Sequence, residues 1–455
     1  MPGPTCRFCH ASLHHIFVDL GVTPLCESYV SAERYNEAEP FYPLRAYVCD
    51  ACFLVQIEAL VSPAAIFTEY AYFSSYADTW VQHAQRYTEM AIDRFGLDSR
   101  SFVVEVGSND GYLLQHFVAR TIPVLGIDPA ANVAAASRER NVPTLVKFFG
   151  EATARELVSG ATFAPREPPR ERSRSHLIDE EFSVRPEEPP SLGGVSKGAV
   201  AVEEGRQADL IVANNVLAQV PDLHDFVTGI KLLLKPNGVA TIEFPHLLRL
   251  MEQHQFDTVY HEHFSYFSLA TAVRIFAHHG LRCFDVEVLP THGGSLRLYL
   301  CHDGDATKAT YRTVTDLEAS ERAAGLDRLE SYARFGECVK ETKRLILDFL
   351  IGAKRRGKSV AAYGAPGKGN TLLNYCGVRT DFIDYTVDRN PYKQGKYLPG
   401  TRIPIYHPDR IATTKPDYLF ILPWNFKDEI MSQMAYIRDW GARFVVPIPT
   451  VTVYP

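Results

Sequence analysis

Between residues 101 and 245 the chain alternates short apolar runs with glycine- or asparagine-bearing turns and amphipathic stretches, the pattern of a parallel α/β sheet. SFVVEVGSNDG (101–111) predicts a strand that carries Glu105 into a Gly-rich turn, and YLLQHFVAR continues as a helix. TIPVLGID predicts a second strand ending at Asp128. ADLIVANN predicts a buried strand, Leu210 to Ala213, that delivers Asn214 and Asn215 at its C-terminal edge, where doubly wound sheets bind ligands. DFVTGIKLLL then reads as a helix, Lys235–Gly238 as a turn, and VATIEFP as another strand. The same rhythm returns after a charged helical stretch that begins at Asp316. SVAAYGAPGKGNT (359–371) runs from a strand into a Gly-rich turn bearing Lys368, a second strand ends at Asp388, and PDYLFIL is a third. From about 165 to 205 the chain is rich in Pro, Glu, Arg, Ser and Gly and reads as an insertion with little that could build a core.

Composition narrows the class. A chain of 455 residues is too long for one ordinary core. At 46% hydrophobic and 22% charged it falls in the globular range, and a formal charge of -7 with no long basic run disfavours a nucleic-acid surface. No apolar run is long enough to span a bilayer, and the first residues lack the pattern of a secretory leader. The nine cysteines are odd in number, and the first four form two close pairs, which suits a reducing compartment and metal binding. These features predict a cytoplasmic protein, and three domains without a coiled coil predict a monomer.

Cys6-x-x-Cys9 and Cys49-x-x-Cys52 supply four thiolates from two tight turns, which closes a tetrahedral zinc site with no position left for water. The expectation is a structural ion. In the central unit the turn Gly107-Ser108-Asn109-Asp110-Gly111 lets a ligand approach the backbone, and Asp128 can hold ribose hydroxyls. The turn lacks the middle glycine of GxGxxG, which argues against a dinucleotide. Glu105-x-Gly107-x-x-x-Gly111, with a strand-end acid about twenty residues on, is similar to the first motifs of class I methyltransferases. These residues, with Asn214 and Asn215, predict an S-adenosylmethionine site.

Tyr260, His261, Glu262 and His263 place four proton-handling groups together before a predicted helix. A general base or a metal ligand set are both open from the residues alone, though H-E-x-x-H spacing is absent. His292, followed by two glycines, marks either a close approach to substrate or a plain hairpin. In the C-terminal unit, backbone amides at a helix start together with Lys368 suit a phosphate or diphosphate.

In order, CxxC…CxxC, EYAYFSSYADTW, EVGSNDGYLL, NNVLAQVPD, YHEHFSYFSL, THGGSLR, YGAPGKGNTLLN and VDRNPYKQGKYLPGTRIPI resemble the sugar C-methyltransferases of deoxysugar biosynthesis. The resemblance spans nearly the whole chain except the insertion. It implies a zinc-binding module (1–65), a methyl-donor domain of class I Rossmann-like α/β fold (66–290), and a second Rossmann-like α/β domain (291–455) that helps hold a nucleotide-sugar. The implied substrate is a thymidine-diphosphate 4-keto-6-deoxysugar, methylated beside the ketone. His263 is then the implied base, with Tyr260 and Glu262 orienting it or stabilising the enolate, and Tyr72 near the substrate. Gln219, His292, Gly364, Lys368, Asn370 and Lys393 are the expected substrate contacts. Gln219 departs from the family, which often carries histidine there. An O- or N-methyltransferase of a small metabolite, with His263 deprotonating a hydroxyl, is the alternative.

Overall fold

A computed structural model describes residues 3–68, 73–160 and 205–455. Tyr72, and all but Gly205 of the expected insertion, lie outside the described residues.

The central sheet has seven strands, in the order Leu281–Leu289, Ser295–His302, Leu234–Pro245, Ala208–Asn214, Val103–Val106, Val124–Ile127 and Thr144–Leu145. From Leu234–Pro245 to Thr144–Leu145 the pairing is parallel, and the other two strands form an antiparallel hairpin on that edge. Val103–Val106 is buried at every position, as a strand covered on both faces must be. The helix Asp78–Phe95 covers one face, burying Trp80, Ala84, Tyr87, Thr88 and Ala91 at helical spacing, and it stops at Gly96 in the left-handed region (φ 62°).

One sequence expectation changes here. The turn at Lys235–Gly238 is an excursion inside the strand Leu234–Pro245, because Ala208 pairs with Leu234 while Leu210 pairs with Val239. The expected boundary at 290/291 falls inside the antiparallel hairpin, since Ser295–His302 pairs with Leu234–Pro245 in the central sheet.

A second sheet of six strands runs Ile405–Tyr406, Thr386–Val387, Val360–Tyr363, Tyr418–Ile421, Arg443–Val446 and Thr452–Tyr454, parallel except for the last. It is the second Rossmann-like unit.

The N-terminal residues form an antiparallel sheet, His15–Thr23, Tyr42–Val48 and Val55–Ile57, whose fourth strand is Ser265–Tyr266, from the segment just after His263. This sheet does not stand apart. Phe17 stacks on Phe335 at 4.4 Å and shares a core with the C-terminal unit. Cys6, Phe8 and Leu54 share a core with the central sheet. A short segment with little interior of its own is stable here because each of its faces is covered by a larger lobe.

Candidate active site

A cavity of about 700 Å³ opens at the C-terminal edge of the central sheet and extends beneath the C-terminal lobe. Gly107, Asn109, Asp128, Asn214 and Asn215 line one side; Tyr260, Glu262 and His263 another; Gly364, Lys368 and Lys393 face in from the C-terminal unit. Gln219 and His292 also line it. Residues far apart in sequence thus converge on one space because parallel strands present their C-terminal loops at the same edge.

The loop after Val103–Val106 is built around Gly107, whose φ is +67° and where a Cβ would lie 2.4 Å from Val216 Cγ2. Asn109 N–H donates to Asp128 Oδ2 at 2.9 Å and Ala130 N–H to Oδ1 at 2.9 Å. Burial pushes the Asp128 carboxyl up to about 6 against the pull of these amides. Asn214 is buried on the cavity wall, and among the described residues neither atom of its amide has a hydrogen-bond partner. A buried amide left unpaired costs about 1–3 kcal/mol, so it is poised to gain from a polar ligand. Glu105 and Gly111 do not line the cavity. The Glu105 carboxyl is fully buried behind the loop, and burial, with Asp128 and Asp110 beside it, raises it well above the usual range. Gly111 (φ +76°) acts through packing, since a Cβ there would lie 2.7 Å from Ser137 Oγ.

His263 Nδ1 lies 3.1 Å from the Thr258 carbonyl oxygen, which can only accept, so Nδ1 carries the proton. The lone pair of Nε2 then faces the Tyr260 hydroxyl at 3.0 Å, which donates to it. Burial pushes His263 down to about 3 and raises Tyr260 well above the ordinary phenol value. The pair is a neutral imidazole capped by a neutral phenol. Cys26 Sγ–H donates to Glu262 Oε1 at 3.3 Å. His261 turns away and lies 3.1 Å from the Pro43 carbonyl oxygen, holding the N-terminal sheet.

Lys368 is half-buried in the cavity wall. Its ammonium donates to Asn425 Oδ1 at 2.9 Å and lies 4.8 Å from the Trp424 ring centre. Burial lowers its pKa, Asp257 opposes this, and its charge is felt by both His263 and His292. Lys393 donates to the Ala365 carbonyl at 2.9 Å and pairs with Glu27 at 3.5 Å. Asn370 departs from expectation. It does not line the cavity, and its Nδ2 donates to the Cys26 carbonyl at 2.5 Å, so it brackets the N-terminal loop from inside.

His292 sits at φ 53° with Asn215 Nδ2 3.2 Å from its Nε2. Its turn is anchored by Thr291, which donates to Glu243 Oε1 at 2.9 Å, while Arg297 donates to Glu243 Oε2 at 2.7 Å. Glu243, Arg297, Cys26, Glu27 and Trp424 were not anticipated from the sequence. Single charges inside the apolar strands TIEFP and SLRLYL were the available signal for the first two. Nothing in the spacing marks Cys26 or Glu27.

The four cysteines converge as expected, with all their sulfurs within 4.8 Å of one another. Cys6 and Cys52 sulfurs are 3.6 Å apart, Cys9 and Cys49 sulfurs 3.4 Å, close to the roughly 3.8 Å that tetrahedral zinc–thiolate bonds of about 2.3 Å impose. Each pair is followed by a left-handed residue, His10 or Phe53, both at φ 61°, whose amide returns to the carbonyl of the first cysteine.

Known proteins repeat this order of parts. Residues 6–67 match a family model described as a zinc binding domain, 80–286 a methyltransferase domain, and 290–449 the C-methyltransferase C-terminal domain. Over 448 residues the chain is 33% identical to the C-methyltransferase NovU of Streptomyces niveus, covering 98% of this chain and 96% of that one. The chain belongs to the S-adenosylmethionine-dependent C-methyltransferases. Similar solved structures include the glycopeptide N-methyltransferase MtfA complexed with S-adenosylmethionine (10% identity, TM-score 0.30, 48% of this chain and 93% of that one). The DhpI–SAH complex is another (17% identity, TM-score 0.29, 51% and 91%). S-adenosylmethionine and zinc are the cofactors, and the open Asn214 amide and the four clustered sulfurs fit them. Among the described residues no helix is long and apolar enough to cross a membrane.

Proposed function

We propose that this C-methyltransferase acts on a nucleotide-linked 4-keto-6-deoxysugar, with thymidine diphosphate as the nucleotide, at the carbon beside the ketone. The observation that carries the reading is that the His263–Tyr260 pair and a second nucleotide-type loop open into the same cavity as the methyl-donor loop. The two loops are built alike. Gly107 N–H bonds the Ile127 carbonyl at 2.8 Å and Asn109 N–H bonds Asp128; Gly364 N–H bonds the Val387 carbonyl at 2.6 Å and Ala365 N–H bonds Asp388 Oδ2 at 2.7 Å. A strand-end acid in each loop can hold ribose hydroxyls, so two nucleosides can be bound face to face across one space.

S-adenosylmethionine, held by the Gly107 loop, Asp128 and Asn214, supplies an electrophilic methyl group. The protein's task is to make a sugar carbon nucleophilic. His263 Nε2 is unprotonated and takes the proton alpha to the ketone, while Tyr260, displaced from Nε2 by substrate, donates to the ketone oxygen as charge develops there. Thr258 holds the imidazole in the required tautomer. Glu262 orients the motif, and Lys368 supplies positive charge to the anionic substrate. Tyr72 and Gln219 are assigned to the sugar, and His292, Gly364 and Lys393 to the nucleotide-sugar.

The test uses a thymidine-diphosphate 4-keto-6-deoxysugar in deuterated water, with and without S-adenosylmethionine, followed by mass spectrometry and NMR. The expected result is methyl gain beside the ketone, lost in His263→Asn. Binding of S-adenosylmethionine with neither exchange nor methylation across a panel of keto-sugars would refute the substrate class.

A further inference from the structure

Outside the active site, three histidines meet where the zinc module touches the central lobe. His224 lies in the first turn of the helix Leu223–Leu233, His278 ends the helix Leu269–His278, and His279 caps it. One ring nitrogen of each lies within 4.8 Å of the others. His224 Nδ1 and His279 Nε2 are 3.0 Å apart, a few tenths of an ångström short of the roughly 3.3 Å between two nitrogens on a tetrahedral zinc ion.

The far side of each ring is already occupied as a ligated imidazole requires. His224 Nε2 faces the Phe8 carbonyl oxygen at 2.9 Å, so it must donate, leaving Nδ1 a lone pair. His279 Nδ1 faces Thr228 Oγ1 at 3.2 Å, a hydroxyl able to accept or donate. Without metal, the His279 proton lies on Nε2, bridging to His224. Moving it across the ring to Nδ1, where Thr228 turns from donor to acceptor, exposes two facing lone pairs with no proton lost. His278 is exposed, has ring contacts but no hydrogen bond among the described residues, and completes a triangle at the negative end of its helix. Lys231 and Asp222 flank the cluster with opposite charges.

We propose that His224, His278 and His279 form a second metal site, for a borderline-soft divalent ion such as zinc. It is distinct from the four-cysteine site and leaves a coordination position open to solvent. Imidazole donors select zinc, copper or nickel over magnesium or calcium. Because the His224 partner, Phe8, lies inside Cys6-x-x-Cys9, an ion here ties the zinc module to two helices of the methyltransferase lobe.

The experiment takes the full chain with its four-cysteine zinc in place and titrates it with Co²⁺. The expected result is one further cobalt per chain, with visible ligand-field bands and no thiolate charge-transfer band, and a raised melting temperature. His278→Gln and His279→Gln should each weaken that binding by about tenfold or more, while His14→Gln, at an exposed site, leaves it unchanged. His278 is exposed, so His278→Gln keeps the fold, which retained zinc and circular dichroism verify. Saturation with no cobalt bound beside the zinc, or cobalt bound equally by His278→Gln, overturns the proposal.

Discussion

Glu243→Gln tests whether a buried ion pair holds the His292 turn. Glu243 is fully buried, and Arg297, 3% exposed, donates to it at 2.7 Å, with His83 and Thr291 on the remaining lone pairs. Burial raises the carboxyl, but His83, Arg297 and Thr291 outweigh it and hold it at about 2, against an ordinary 4.5. At about 1.4 kcal/mol per pH unit, that difference is about 3 kcal/mol in favour of the charged native form. Glutamine keeps the shape and removes the charge, leaving the Arg297 guanidinium with Glu287, at 3.0 Å, as its remaining anion, so the loss falls at the lower end of the range for a broken buried pair, about 3 kcal/mol. For a lobe of this size, about 2–4 °C per kcal/mol puts the melting transition roughly 6–12 °C lower. Calorimetry would resolve it, since several lobes need not melt together. The wild-type contribution is present above the unfolded value of 4.5 and lost as pH falls towards about 2. The variant should therefore lose less stability than wild type between pH 5 and pH 2. Replacing both partners, as Glu243→Leu with Arg297→Met, should cost less than Glu243→Gln alone. A Glu243→Gln melting curve within about 2 °C of wild type, or a double variant worse than the single, would refute the argument.

Other outcomes follow from the same geometry. His263→Asn should lower methyl transfer by about 10²–10⁴-fold while S-adenosylmethionine still binds, measured by steady-state kinetics and calorimetric titration. Nitrogen-15 NMR of histidine-labelled protein should show His263 neutral, protonated on Nδ1, from pH 8 to pH 5, because burial holds it at about 3; a midpoint near 6.5 would contradict the buried site. Since the unfolded chain takes up this proton first, His263 lowers stability as pH falls from about 6.5 towards 3, the sign a denaturation series should report. Lys368→Met should raise KM if the ammonium holds substrate charge from the outset, and lower kcat if it acts only as the enolate forms. Cys49→Ser should release the zinc and lower the melting temperature, read by metal analysis and calorimetry, because the knuckles share a core with the central sheet.

Much of this protein is legible without its structure. Continuous apolar runs ending in Asp128, Asn214 and Asp388, with Gly-rich turns at 107–111 and 364–369, specify parallel strands with ligand loops at the C-terminal edge of each sheet. Local chemistry dictates that pattern: strands covered on both faces must be apolar, and only glycine tolerates φ near +67° where a side chain would strike Val216. Two CxxC pairs announce a zinc site because the ligands come from two local turns. Tertiary structure decided the rest. Glu105 and Gly111 carry a motif yet stand behind the cavity wall, since a motif marks a loop and not the direction of each side chain. Asn370 and His261 turned out to be brackets between chain segments hundreds of residues apart. Cys26 and Glu27 reach the site only because Phe17 packs on Phe335 and Ser265–Tyr266 pairs with the N-terminal sheet. Those are long-range contacts that no local spacing encodes, as is the packing of the helices Leu223–Leu233 and Leu269–His278 that brings His224, His278 and His279 together beside the zinc knuckle.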